Sequence, residues 1–174
     1  NETGQTITYE LDTDNYDDSQ YFNLEKVWIN QWAAYLTFAS VPNYEAKSSY
    51  QIGLKATNQY GRTSTQEVNV TIIDINDAPT LTVTSVGGDE NQTTLDPLSA
   101  SDEDGDSFTF SVENESYYSI DENTGAFSWV NAPDREEGCT TSCTPKETET
   151  AKITVTDSNG GSTTTDVTVY IHNL

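Results

Sequence analysis

The chain has 174 residues, with 29 acidic against 7 basic side chains and a formal net charge of -22 at pH 7. That charge repels phosphate-rich surfaces, so nucleic acid and direct membrane insertion are excluded as expectations, and no run approaches the roughly 18 apolar residues of a membrane span. A hydrophobic share of 33%, set out in short alternating runs, separates the chain from a disordered acidic tail.

Period-two alternation of β-branched and aromatic residues with Thr, Ser and charged residues predicts strands almost throughout and no helix. In the first half they fall at 5–11, 21–29, 35–39, 50–57 and 65–74, with a turn signal at Asn58-Gln59-Tyr60-Gly61. The acidic loop 12–18 reads as a solvated loop rather than an ion site. Trp28 is expected in a core. Trp32, read as a turn residue, stands with Tyr35 as a candidate ligand-binding surface for a glycan or peptide, because rings offer large contact area at low entropic cost.

Between the halves lies Asp74-Ile75-Asn76-Asp77-Ala78-Pro79. Carboxylate, amide and carbonyl oxygens at this density suit a hard cation such as Ca2+, which takes six to eight oxygen ligands, and Pro79 stiffens the exit. The stretch predicts two domains, 1–77 and 78–174. In the second half strands are expected at 80–86, 107–113, 117–120, 126–130, 149–156 and 163–172, with Trp129 inside and one of Tyr117 and Tyr118 facing inward. An internal repeat supports the division, since 68–75 (VNVTIIDI) matches 167–174 (VTVYIHNL). The second half opens with a strand and Asp89-Glu90-Asn91 that the first half lacks. The first domain is therefore expected to miss its first strand, either truncated or split around an inserted module, and the sequence reads as a soluble piece of something longer.

Cys139 and Cys143 lie four apart, and with one histidine in the chain a zinc site lacks ligands. A local disulfide and an oxidising compartment are expected, with a reduced loop pair left open. Acids at 102, 104, 106 and 113 invite an EF-hand reading, but Ser107 stands where that loop needs glycine. Catalysis finds no support: His172 is alone and no Gly-x-Ser-x-Gly elbow occurs, so the chain is read as not an enzyme.

Five motifs in order carry a resemblance: Asp74-x-Asn76-Asp77, Glu90-Asn91, Asp102-Glu103-Asp104, Asp134-Arg135-Glu136, and Asp157 within Val-Thr-Asp. In these the chain resembles the cadherin family, and more specifically the cadherin-like repeats of large bacterial (RTX-type) surface adhesins. The resemblance implies an all-β fold of two tandem cadherin-like, Ig-like Greek-key β-sandwiches joined by a calcium-binding linker. It implies Ca2+ ligands from Asn43 and Glu45, from Asp74, Asn76 and Asp77, from the carbonyls of Ile75 and Ala78, and from Asp102, Asp104 and Asp157. Glu90, Asp134 and Glu136 become half a site for a following domain. The implied function is that of extracellular, cell-surface adhesin modules, with Ca2+ rigidifying the junction and adjacent domains of the same polypeptide as partners. The alternative is a calcium-assisted peptide- or carbohydrate-recognition module. Asn43 stands where the family pattern has an aspartate and the first domain lacks the early glutamate, so the outermost ion of the junction is expected to be weakened or lost, leaving two or three ions; Asn58 also replaces an aspartate and no Asp-x-Asp precedes Gln5, so the first domain's upstream face is expected to hold no cluster of its own.

Overall fold

A computed structural model describes residues 6–28, 32–136 and 147–174. The chain divides into two compact units, Asn1–Ile75 and Asn76–Leu174. Cys139 and Cys143 lie outside the described residues.

The first unit contains β1 (Ile7–Leu11), a single turn of 3-10 helix (Asp17–Tyr21), β2 (Phe22–Trp28), β3 (Trp32–Phe38), β4 (Ser49–Asn58) and β5 (Thr63–Thr71). One antiparallel sheet runs in the order β1-β4-β5, and β2 pairs with β3. The alternation that predicted strands also predicts the buried face: Tyr50 and Ile52 on β4 point inward with Phe22, and Leu11, Leu36, Phe38, Val68, Val70 and Ile72 pack partly buried around them. The rings of Phe22 and Tyr50 meet edge to face at 5.5 Å, a favoured aromatic geometry. Lys47 lies over the rings of Tyr21 and Tyr50 and pairs with Asp18. The 3-10 turn departs from the helix-free expectation. It is too short to show a helical period, and Asp18 and Ser19 serve to bind the β4 backbone at Gln51 and Gly53.

The second unit contains β6 (Thr80–Leu81), β7 (Ser85–Asp89), β8 (Ala100–Ser101), β9 (Phe108–Val112), β10 (Tyr118–Ile120), β11 (Phe127–Trp129), β12 (Thr148–Asp157) and β13 (Ser162–His172). Its main sheet has the order β7-β13-β12-β9, with β7 parallel to β13 and the rest antiparallel. The single strand expected over 80–86 is broken. Thr82 N–H donates to Ser99 O at 2.9 Å beside β8, and two residues later Thr84 O accepts from Thr168 N–H at 3.0 Å beside β13. One stretch of chain thus passes from one sheet to the other. The core is continuous: Val86, Leu95, Leu98, Phe110, Tyr118, Phe127, Trp129, Ile153, Val155, Val167, Val169 and Ile171 are all buried. Tyr117 is outward and Tyr118 inward, as expected, and Trp129 is interior with its indole N–H donating to Glu149 Oε2.

Candidate metal centre

The loop Asp102-Glu103-Asp104-Gly105-Asp106 leaves β8 and enters β9. Gly105 has φ 77°, a left-handed conformation that glycine adopts without strain. The turn it allows brings carboxylate oxygens of Asp102, Asp104 and Asp106 within 4.8 Å of one another. Asp102 Oδ1 accepts from Asp106 N–H at 3.0 Å, and Asp104 Oδ2 accepts from Asp77 N–H at 2.7 Å. Asp106 accepts from the side-chain amide of Asn159. Asp102 Oδ2 is buried without a hydrogen-bond partner. Among the described residues no ion pair involves these three aspartates, so their like charges are uncompensated by protein.

Asp157, at the end of β12, is 6% exposed. Its Oδ1 accepts from the N–H groups of Asn159 and Gly161 at 2.8 and 2.9 Å, and its Oδ2 from Asn76 Nδ2 at 2.9 Å. Donation from Asn76 first, with the backbone donors behind it, holds the Asp157 carboxyl below the ordinary aspartate range. Gly161 is required by proximity: a Cβ there would stand 2.4 Å from Asp157 Oδ2 and 2.6 Å from Asn76 Nδ2. One rim of the second unit therefore gathers Asn76, Asp77, Asp102, Asp104 and Asp157, together with Asp106, a residue that the family pattern does not include.

A second cluster forms where β7 and β13 end. Glu90 is 3% exposed, and its two oxygens accept from Arg135 N–H and Leu174 N–H, each at 3.0 Å. Those backbone donors lower its pKa, Leu174 contributing most. Oxygens of Asp134 and Glu136 come within 4.8 Å of it. Burial, and then sharing with Glu90, pushes Glu136 above the ordinary glutamate value. Asn91 supports this turn from a left-handed φ of 61°, its N–H donating to Pro133 O at 2.7 Å. The two clusters lie at opposite ends of β13, which at ~3.3 Å per residue sets them about 30 Å apart.

In the first unit, Asn43 and Glu45 sit exposed in the loop between β3 and β4, with Asn43 Oδ1 accepting from Ala46 N–H at 2.7 Å; Asp74 and Ile75 are exposed at the end of the unit. Ala78 is exposed beside the fully buried Pro79. Trp32 opens β3 opposite Trp28 instead of lying in a turn, and its side chain is outside the described residues; Tyr35 on the same strand is 45% exposed. In the loop 12–18, Asp12 turns its carboxylate onto Asp14, Asn15 and Thr65, and no metal-type cluster forms there among the described residues.

Residues 76–170 match the family model described as the bacterial Ig domain, and the chain belongs to that family. Among solved structures it is similar to the human desmocollin-1 ectodomain (17% identity, 97% of this chain and 34% of that chain, TM-score 0.61). It is also similar to protocadherin gamma C5 EC1-3 (18%, 94% and 55%, TM-score 0.57) and to protocadherin gamma B7 extracellular cadherin domains 1-4 (21%, 98% and 46%, TM-score 0.54). The likeness establishes an all-β, Ig/cadherin-like fold, and the chain spans between 34% and 55% of the length of these three structures. No curated protein matches it. No helix of the described residues is long and apolar enough to cross a membrane.

Proposed function

We propose that the chain comprises two tandem cadherin-like modules, 1–77 and 78–174, of an extracellular, cell-surface adhesin of the bacterial RTX type, and that Ca2+ bound at the start of the second module stiffens their junction. The observation that carries the reading is the convergence of Asp102, Asp104 and Asp106, with a buried oxygen of Asp102 lacking any protein donor. Three carboxylates and an unpaired buried oxygen are a poor apo arrangement and a suitable donor set for a hard divalent cation. Asp157, Asn76 and Asp77 stand on the same rim. Asn43, Glu45, Asp74 and the carbonyls of Ile75 and Ala78 are assigned as further ligands from the sequence pattern. Glu90, Asp134 and Glu136 form a second Ca2+ site, awaiting a following module.

Ligands contributed by separate stretches of chain convert binding energy into angular stiffness. With dissociation constants of about 10⁻⁴ to 10⁻³ M, the range of extracellular modules, millimolar Ca2+ contributes roughly 0.4 to 1.4 kcal/mol per ion. Against typical domain stabilities of about 5 to 15 kcal/mol, this orders a joint without being needed to fold either module. Small-angle scattering of the chain with Ca2+ and with chelator, alongside Asp77→Ala, tests the reading. A maximum dimension that is sharply defined with Ca2+ and broad in chelator supports it; identical profiles in all three samples oppose it.

A further inference from the structure

The β4-β5 and β12-β13 hairpins close on the same kind of turn. Thr57 faces Thr63 across β4 and β5, and Thr156 faces Ser162 across β12 and β13. Inside the first pair Asn58 N–H donates to Arg62 O at 3.0 Å and Gly61 N–H to Asn58 O at 2.9 Å; inside the second Asp157 N–H donates to Gly161 O at 2.9 Å and Gly160 N–H to Asp157 O at 3.4 Å. Gly61 and Gly160 are both left-handed, with φ 75° and 97°. The side chain that opens each turn accepts in the same way, Asn58 Oδ1 from the N–H groups of Tyr60 and Arg62, and Asp157 Oδ1 from those of Asn159 and Gly161.

The turns differ where it matters for chemistry. The residue before the glycine is Tyr60 in one and Asn159 in the other, and Asn159-Gly160 is the chain's one Asn-Gly pair. The bond that secures the glycine N–H has the usual N–H···O length for Gly61 and exceeds it for Gly160. The amide carbon of an asparagine lies within reach of the next backbone nitrogen, and a Cβ on that next residue crowds the approach. Gly160 has no Cβ, its N–H is weakly held, and Asn159 is exposed to water. Asn159 Nδ2 also donates to Asp106 Oδ2, and a carboxylate at that nitrogen stabilises its protonated form, the form that departs once the amide carbon has been attacked.

We propose that Asn159 is a site of spontaneous deamidation, which adds a carboxylate to the rim formed by Asp102, Asp104 and Asp106. The Gly160 nitrogen attacks Cγ of Asn159 and gives up its proton, the Cγ–Nδ2 bond breaks, and ammonia leaves a cyclic imide behind. Water then opens the imide. Cleavage at Cγ gives aspartate, and cleavage at the backbone carbonyl gives isoaspartate, with the chain running through Cβ and Cγ. Aspartate replaces a neutral amide that donates to Asp106 with a second carboxylate, so like charges meet where a hydrogen bond stood. Isoaspartate lengthens the backbone one residue before Gly161, which has no room to shift, since a Cβ there would stand 2.4 Å from Asp157 Oδ2. The consequence for Ca2+ rests on the reading proposed above: aspartate at 159 raises the negative charge available to the ion.

The test keeps the whole chain at neutral pH in chelator for days and maps its peptides by mass spectrometry, with fragmentation that separates aspartate from isoaspartate. Asn159 is expected to gain the mass of the amide-to-acid exchange about tenfold faster or more than Asn58 and Asn123, because glycine alone leaves the attacking nitrogen uncrowded. A Cβ at Gly160 meets nothing within 4 Å, so Gly160→Ala meets only the strain of its left-handed φ, and Asn159→Gln keeps the amide while moving its carbon out of reach. Both variants are expected to stay unmodified at 159 with native circular dichroism. The proposal is overturned if Asn159 stays intact, if it converts no faster than Asn58 and Asn123, or if the folded Gly160→Ala chain converts as fast as the natural one. Calorimetric titration of Asn159→Asp with Ca2+ separates this inference from the calcium reading. Affinity about threefold or more above that of the unaltered chain is expected from the added charge. Binding with unchanged affinity overturns the consequence drawn for the rim; absence of binding by either chain opposes the calcium reading, while the mass change still decides the modification.

Discussion

Val167→Ala and Val68→Ala delete the same two methyl groups from register-equivalent positions, and their costs should differ. Val167 is 0% exposed within the core of the second unit. Losing two buried carbons forfeits about 1.6 kcal/mol of transfer energy at ~0.8 kcal/mol each. A core closed on all sides adds a cavity term, giving about 2 to 3 kcal/mol in all. Val68 is half-buried on a strand that pairs with β4 alone among the described residues, so about half the transfer energy is at stake and no closed void is left. Its expected cost is about 1 kcal/mol or less. Urea titration followed by hydrogen-exchange mass spectrometry reads β4 and β5 separately from β12 and β13. Val167→Ala should lower the midpoint for β12 and β13 markedly, and Val68→Ala should lower that of β4 and β5 slightly. Equal costs, or a larger cost at Val68, would refute the claim that the first unit is under-covered along β5.

Three further outcomes are expected. Glu90→Gln keeps one acceptor but loses the charge and one of the two backbone donors' partners at Arg135 or Leu174; calorimetric Ca2+ affinity at that cluster should fall about tenfold or more, and unchanged affinity would count against a site there. Because Glu136 sits above its ordinary value of 4.5, Ca2+ binding at this cluster is full above the raised pKa and is lost as pH falls through it, so the loss begins at a higher pH than for an ordinary glutamate; a titration series flat from neutral pH down to 4.5 would contradict this. Gly161→Ala places a methyl group against Asp157 and Asn76, costing about 1 to 3 kcal/mol and weakening Ca2+ binding; the check is a melt paired with calorimetry, and a neutral effect on both would remove Gly161 from the site.

Most strands were legible because each half alternates strictly, with Tyr50 and Ile52, or Ile153 and Val155, on the buried parity. What local pattern could not give was the break between Leu81 and Ser85, since the change of sheet depends on β8, two residues long, and on the distant Thr168. The aspartates at 102 and 104 and the residues Glu90, Asp134 and Glu136 were found from motif order. Asp106 is hidden by its spacing: Ser107, where an EF-hand loop needs glycine, argues against that loop without arguing against Asp106 as a ligand. Asn159 and Gly161 carried no sequence signal beyond a turn; their part depends on how Asp157 and Asn76 approach across the fold. The first half's lack of a leading strand like Ser85–Asp89 was legible as a length difference between the repeats, while the half-burial of Val68, Val70 and Ile72 required coordinates.

Equilibrium Ca2+ uptake by the whole chain, measured by dialysis from micromolar to millimolar free ion beside the double variant Asp102→Asn/Asp104→Asn, tests the account at its centre. Saturable binding that the double variant reduces, with the circular dichroism of the sheet unchanged, is the predicted result. Absence of saturable uptake at millimolar Ca2+, or full uptake by the double variant, would contradict it.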